Sequence, residues 1–127
     1  MTPLGQKLRV MRAERGITMK DMAAAIGVSP AYLSALEHGH RGAPAWYLVQ
    51  RIITFFNVIW DEAEEIERLA QISHPRIVVD TAGLGAEATE LANKFARQIS
   101  TLSETDVRAL LTLLDERAAM ASKRPRS

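Results

Sequence analysis

Residues 17 to 39 read Ile17-Thr-Met-Lys-Asp-Met-Ala-Ala-Ala-Ile-Gly-Val-Ser-Pro-Ala-Tyr-Leu-Ser-Ala-Leu-Glu-His-Gly39, and this stretch decides the fold. Thr18 is a natural N-cap for a short helix whose apolar stripe is Met22, Ala23 and Ile26. Gly27 falls where that helix must end in a sharp turn, a place that suits a positive φ. Ser29 caps a second helix, and Pro30 occupies its first position, where a missing N–H costs nothing. Leu33 and Leu36 point inward, and Gly39 closes the segment. Each signal alone is weak. Two caps, a glycine turn and matched apolar spacing that agree make two short helices joined by a tight turn a strong expectation.

Working outward, Leu4, Leu8 and Met11 recur at helical spacing and predict a first helix over 3–14, ended by Gly16. Residues 38–44 (His-Gly-His-Arg-Gly-Ala-Pro) form a loop. A fourth helix is predicted over 45–56, with Asn57 as its left-handed cap. A fifth is predicted over 60–72, with Trp60, Ala63, Ile66 and Ala70 on one side. Its opening acids Asp61, Glu62, Glu64 and Glu65 complement the helix dipole. Trp46, Phe55, Phe56 and Trp60 lie at helical spacing among aliphatics and read as core.

His74-Pro75 breaks the chain, and Ile77-Val78-Val79 suits either a short strand or an extended linker. Two more helices follow. One spans 86–101 with the seam Leu91, Phe95, Ile99 and Leu102. The other opens with the capping box of Ser103 and Asp106 and carries Val107, Leu110, Leu111, Leu114 and Ala118. A helical hairpin this small buries two stripes poorly by itself. Either it caps the first domain or Leu91, Phe95, Ile99, Leu110 and Leu114 pack on a second copy. The expected organisation is a domain over 3–72, a linker over 73–85, a hairpin over 86–121 and a basic tail over 122–127.

The chain has 127 residues, 47% hydrophobic, which suits one small domain with an extension. It has no cysteine, so disulfides, thiol catalysis and Cys-ligated zinc are excluded. No apolar run approaches the ~18 residues of a membrane span, and a secretory leader is not expected; a cytoplasmic protein is. The net charge of +1 conceals a polarised distribution. Residues 1–60 hold seven Lys or Arg against three acids, residues 61–121 hold six against twelve, and the last six residues add Lys123, Arg124 and Arg126. The basic first half suits a phosphate-bearing partner. The pair His38 and His40 lacks further ligands for a metal, with only His74 remaining. Asp80-Thr81-Ala82-Gly83 has no phosphate-binding glycine loop beside it. No nucleophile–base pair or catalytic carboxylate pair stands out, so neither an enzyme nor a cofactor is expected.

Together with Leu4, Leu8, Arg12 and Gly16 before it, and Arg41, Pro44, Trp46, Val49, Ile52, Phe56 and Val58 after it, the 17–39 stretch resembles the lambda-repressor-like, Xre-type family of bacterial and phage DNA-binding domains over residues 3–60. The resemblance implies an all-α fold: a five-helix bundle whose second and third helices form a helix-turn-helix, with the third entering the major groove of double-stranded DNA. A C-terminal helical hairpin would follow it. By resemblance, the base-facing positions are Ser29, Pro30, Ala31, Tyr32, Ser34 and Ala35 on a recognition helix over 29–38. None is Arg, Lys, Asn or Gln, so the strong bidentate readers of G and A are absent from this helix. Phosphate contacts fall to Thr18, Met19 and Lys20 at the second helix's start, and to His40 and Arg41, with Tyr47 and Arg51 as further candidates. Family members commonly place Gln where Met19 stands. Met cannot make that contact, which leaves the backbone N–H groups and Lys20. The resemblance also pairs Arg12 with Glu37 to orient the recognition helix.

The function these readings favour is a sequence-specific transcriptional regulator, a repressor or dual regulator, that binds a palindromic operator as a homodimer in the cytoplasm, associated with the nucleoid. Two alternatives stay open. One is an antitoxin-type regulator that binds a toxin, a protein partner, through its C-terminal half. The other is a protein-interaction adaptor that no longer reads DNA.

Overall fold

The computed structural model describes residues 1–123. Three short helices open the chain, and each is started by a hydroxyl cap. α1 (Pro3–Arg15) follows Thr2, whose Oγ1 accepts from the Gly5 N–H at 3.0 Å. α2 (Met19–Ile26) follows Thr18, which accepts from the Asp21 N–H at 3.0 Å. α3 (Pro30–Glu37) follows Ser29, which accepts from the Tyr32 N–H at 3.0 Å. Gly27 ends α2 at φ 81°, a backbone conformation that disfavours side chains, and so turns the chain into α3. α4 (Trp46–Phe56) ends at Asn57 with φ 54°, the left-handed cap expected of it, and α5 is Asp61–Gln71.

These five helices share one core. α1 packs on α3 and α5, α2 on α3 and α4, and α4 on α5. Leu4, Leu8 and Met11 meet Met22, Ala23 and Ile26, then Leu33 and Leu36, and then Leu48, Val49, Ile52 and Phe56, with Ile66 and Ala70 closing the cluster. Each large apolar side chain so buried contributes about 1.5–3 kcal/mol before chain entropy is subtracted.

The tryptophans correct the expected core. Trp46 is 74% exposed and Trp60 79% exposed, while Phe56 is buried and Phe55 half-buried against its edge. Helical spacing does not extend past a helix end, and a side chain in a helix leans toward its N-terminus, which at the first residue is open. Trp46 is the first residue of α4, and Trp60 precedes α5 with the non-helical angles φ 55° and ψ −123°.

The chain forms two compact units, Met1–Val78 and Val79–Ser127. Ser73, expected to open the linker, is buried in the first. Its hydroxyl accepts from the Leu4 N–H at 2.9 Å and donates to the Leu69 carbonyl. Ile77, Val78 and Val79 are exposed and belong to no strand.

In the second unit α6 (Ala86–Gln98) is followed by a tighter 3-10 turn at Ile99–Thr101, where a continuous helix to 101 was expected. α7 (Glu104–Ser122) starts with the expected capping box, Ser103 and Asp106 each bonding the other's backbone N–H. No residue of α6 or α7 is buried, and Leu91, Phe95, Ile99, Leu110 and Leu114 are all exposed. Of the expected basic tail, Ser122 ends α7 and Lys123 caps it, and residues 124–127 lie outside the described residues.

Candidate nucleic-acid interface

The site is the outer surface of α2, the Gly27 turn, α3 and the loop after it. α3 owes its position to its inner side, where Leu33 and Leu36 are buried. What remains outside is Ser29, Pro30 and Ala31, exposed at the helix start, with Tyr32, Ser34 and Ala35 half-buried behind them. The expected base-facing residues thus share one helix but differ in freedom. The Ser29 Oγ is engaged as the cap acceptor, which leaves its O–H to donate. Tyr32 lays part of its ring on the core and keeps the rest in the open.

At the start of α2, Thr18 and Lys20 are exposed and Met19 is half-buried against the core. Thr18 uses its hydroxyl and carbonyl to satisfy the Asp21 and Met22 N–H groups. Among the described residues the N–H groups of Met19 and Lys20 have no protein acceptor, and Lys20 has no acidic partner. That combination of outward N–H groups and a free ammonium suits a phosphate oxygen. Met19 instead adds apolar cover to the bundle.

The loop after α3 is folded back on the helix. The His40 N–H donates to the Ala35 carbonyl at 2.8 Å, the Gly39 N–H to the Leu36 carbonyl at 3.3 Å, and the His38 ring Nδ1 to the Ser34 carbonyl at 2.8 Å. The His38 and His40 rings stack with centroids 6.4 Å apart. The next residue, Arg41, lays its guanidinium over the Tyr32 ring, 5.6 Å from the centroid. A second such pair lies on α4: Arg51 stacks over Tyr47 at 5.5 Å and donates from Nη1 to the Ile26 carbonyl at 3.3 Å. Arg51 therefore braces the end of α2 at the turn.

Behind this surface, Arg12 and Glu37 meet as the resemblance implied. Arg12 Nη1 donates to Glu37 Oε2, and Nη2 to Oε1 at 3.1 Å. Glu37 is 1% exposed, and its main-chain carbonyl accepts from the Thr2 N–H at 2.9 Å. Side chain and backbone together fix the end of α3 to α1. Gly5 makes that approach possible, since a Cβ there would lie 2.2 Å from the Glu37 carbonyl oxygen. Gly5 was not among the expected site residues. Its signal was a glycine inside a helical pattern, which costs about 1 kcal/mol against alanine and calls for a packing reason. Tyr32 and Arg41 were expected as separate contacts, and spacing alone does not pair residues nine apart across a helix end.

Among the described residues no group of three His, Cys, Asp or Glu side chains converges as a metal site, and no helix is long and apolar enough to cross a membrane.

A family model described as a helix-turn-helix domain matches residues 3–74. An uncharacterized HTH-type transcriptional regulator of Bacillus subtilis (strain 168), RghRB, is 27% identical over 140 residues, spanning 100% of this chain and 99% of that protein. The HTH-type transcriptional repressor RghR of the same organism is 43% identical over 44 residues, 35% of this chain and 33% of its own. A chain from a solved SinR protein/SinI protein complex is 22% identical and overlaps 91% of this chain and 98% of its own with a TM-score of 0.43.

Proposed function

Because this chain belongs to the Xre-type helix-turn-helix family, a family of DNA-binding domains and not of enzymes, we propose that it is a transcriptional regulator that binds a palindromic operator as a homodimer. The observation that carries DNA binding is the exposed first turn of α3, with Lys20 and Arg41 unpaired nearby among the described residues. The bundle presents that turn, and the Arg12–Glu37 pair fixes the far end of α3 to α1. In this reading α3 enters the major groove. Ser29 and Ser34 hydroxyls, Ala31 and Ala35 methyls and the Tyr32 ring face bases, while the Met19 and Lys20 N–H groups, Thr18, His40 and Arg41 face phosphate. Such contacts discriminate less per base pair than Arg or Gln pairs, so groove shape and bridging water take a larger share of the specificity. The chain would act in the cytoplasm, where bacterial DNA is found.

Dimerisation rests on the second unit. Two helices with apolar stripes and no buried residue do not stabilise themselves, and a second copy would cover Leu91, Phe95, Ile99, Leu110 and Leu114. The same uncovered stripes favour one second reading, in which the C-terminal unit takes a different protein.

The test is selection of bound fragments from a genomic DNA pool by the purified full chain. The expected result is an inverted repeat whose half-sites lie one turn, ~34 Å, apart. A folded protein that enriches nothing over bulk DNA would overturn the regulator reading. Half-sites enriched singly, without a repeat, would overturn the dimer alone.

A further inference from the structure

The recognition helix lacks every side chain that reads a base by two hydrogen bonds, yet one guanidinium is stored against it. Arg41 comes from the loop, not the helix, and it lies over the Tyr32 ring in the first turn of α3. Its position is prepared from both sides. The bonds from His38, Gly39 and His40 to the last carbonyls of α3 fix the loop just ahead of it. Tyr32 is itself half-buried against the core, which restricts the movement of the ring under the guanidinium. Arg51 makes the contrast clear. It also lies on a tyrosine, but it spends an N–H on the Ile26 carbonyl. Arg41 is exposed and makes no hydrogen bond or ion pair among the described residues, so its donors are open.

A phosphate ligand needs only a positive charge on a flexible stem, and stacking gains it little. A base reader needs its planar fork held at a fixed angle, and stacking on an aromatic face supplies that. We propose that Arg41, held on Tyr32, is a specificity-determining residue that reads a guanine through its O6 and N7 and supplies the bidentate contact absent from α3. Tyr32 is then a positioning residue for Arg41 more than a base contact of its own. This rests on the DNA-binding reading above and changes the role of Arg41 within it from phosphate to base.

The test uses the operator that the wild-type full chain selects and a library of its single-base variants, with binding competed at several salt concentrations. The expected wild-type pattern is a guanine preference at one position of each half-site. Arg41→Lys keeps the charge and loses the fork, so it should lose about tenfold of the preference at that position alone, with the salt slope retained. Tyr32→Leu should lose the preference at the same position, and Tyr32→Phe, which keeps the ring, should rescue it. Thermal melting of each variant separates this from misfolding, and Arg41, being exposed, supplies the answer even if Tyr32→Leu fails to fold. If Arg41→Lys keeps the full preference and Arg41→Ala weakens all sequences alike with a shallower salt slope, Arg41 is a phosphate ligand and the proposal is overturned. If the wild-type protein selects no sequence, the regulator reading falls together with it.

Discussion

Arg12 and Glu37 show how a single residue pair holds the surface that meets DNA. Both charges are buried, so removing one partner leaves the other unpaired away from water. Arg12→Met should therefore cost about 3 kcal/mol, and the double variant Arg12→Met/Glu37→Leu should recover most of it. Equal urea midpoints for the two variants would show that the pair is not the constraint. Gly5 makes the complementary case. In an open helix Gly→Ala stabilises, but here the Cβ meets the Glu37 backbone, which cannot move without shifting α3. Gly5→Ala should destabilise by about 2 kcal/mol and reduce DNA affinity, and a rise in melting temperature would contradict the close approach. Trp60 runs the other way. A non-glycine residue at φ 55° and ψ −123° carries strain of about 1–3 kcal/mol, and its exposed ring gains little in return. Trp60→Gly should hold or raise stability by about 1 kcal/mol, and a clear drop in melting temperature would show that the ring has a structural partner.

At the scale of elements, helix starts govern the outcome. Thr18 and Ser29 each satisfy a backbone donor on either side of the Gly27 turn. Thr18→Ala and Ser29→Ala should each cost about 1 kcal/mol in chemical denaturation, and a combined cost well below the sum would mean that the two caps are coupled through the turn. These caps, Gly27, Asn57 and the Ser103–Asp106 box were legible because each is local: the residue that makes the signal lies within a few positions of the group it satisfies. The apolar stripes of α1 to α4 were legible for the same reason, since the period is a property of the helix itself. Trp60 lies outside the core because the period does not extend past a helix end, and Trp46 because the side chain of a helix's first residue leans back beyond the helix start. Ser73 was misread because its partner, Leu4, lies at the other end of the unit. The candidate site divides in the same way. Its α3 surface follows from the stripe, whereas the stacking of Arg41 on Tyr32 depends on how a loop folds back, and no spacing rule encodes that.

For the whole molecule, the two units carry different physics. The first is stabilised by its own core and should unfold at a temperature independent of protein concentration. The second has exposed leucines on both helices and, if they pair between copies, should melt at a temperature that rises with concentration. Calorimetry across a hundredfold concentration range checks this, and two concentration-independent transitions would count against self-association. DNA affinity should fall steeply with salt, with a slope near −0.9 for each phosphate neutralised. Lys20→Ala should make the slope shallower by about one and leave base preference unchanged. The segment Ile77 to Val79 is exposed, belongs to no strand and is open to a protease. If pairing tethers two reading heads, each head raises the local concentration of its twin at the neighbouring half-site, and the site is held by the product of two weak grips. A single protease cut in that segment would leave every base and phosphate contact intact and still release the operator, because the multiplication would be gone.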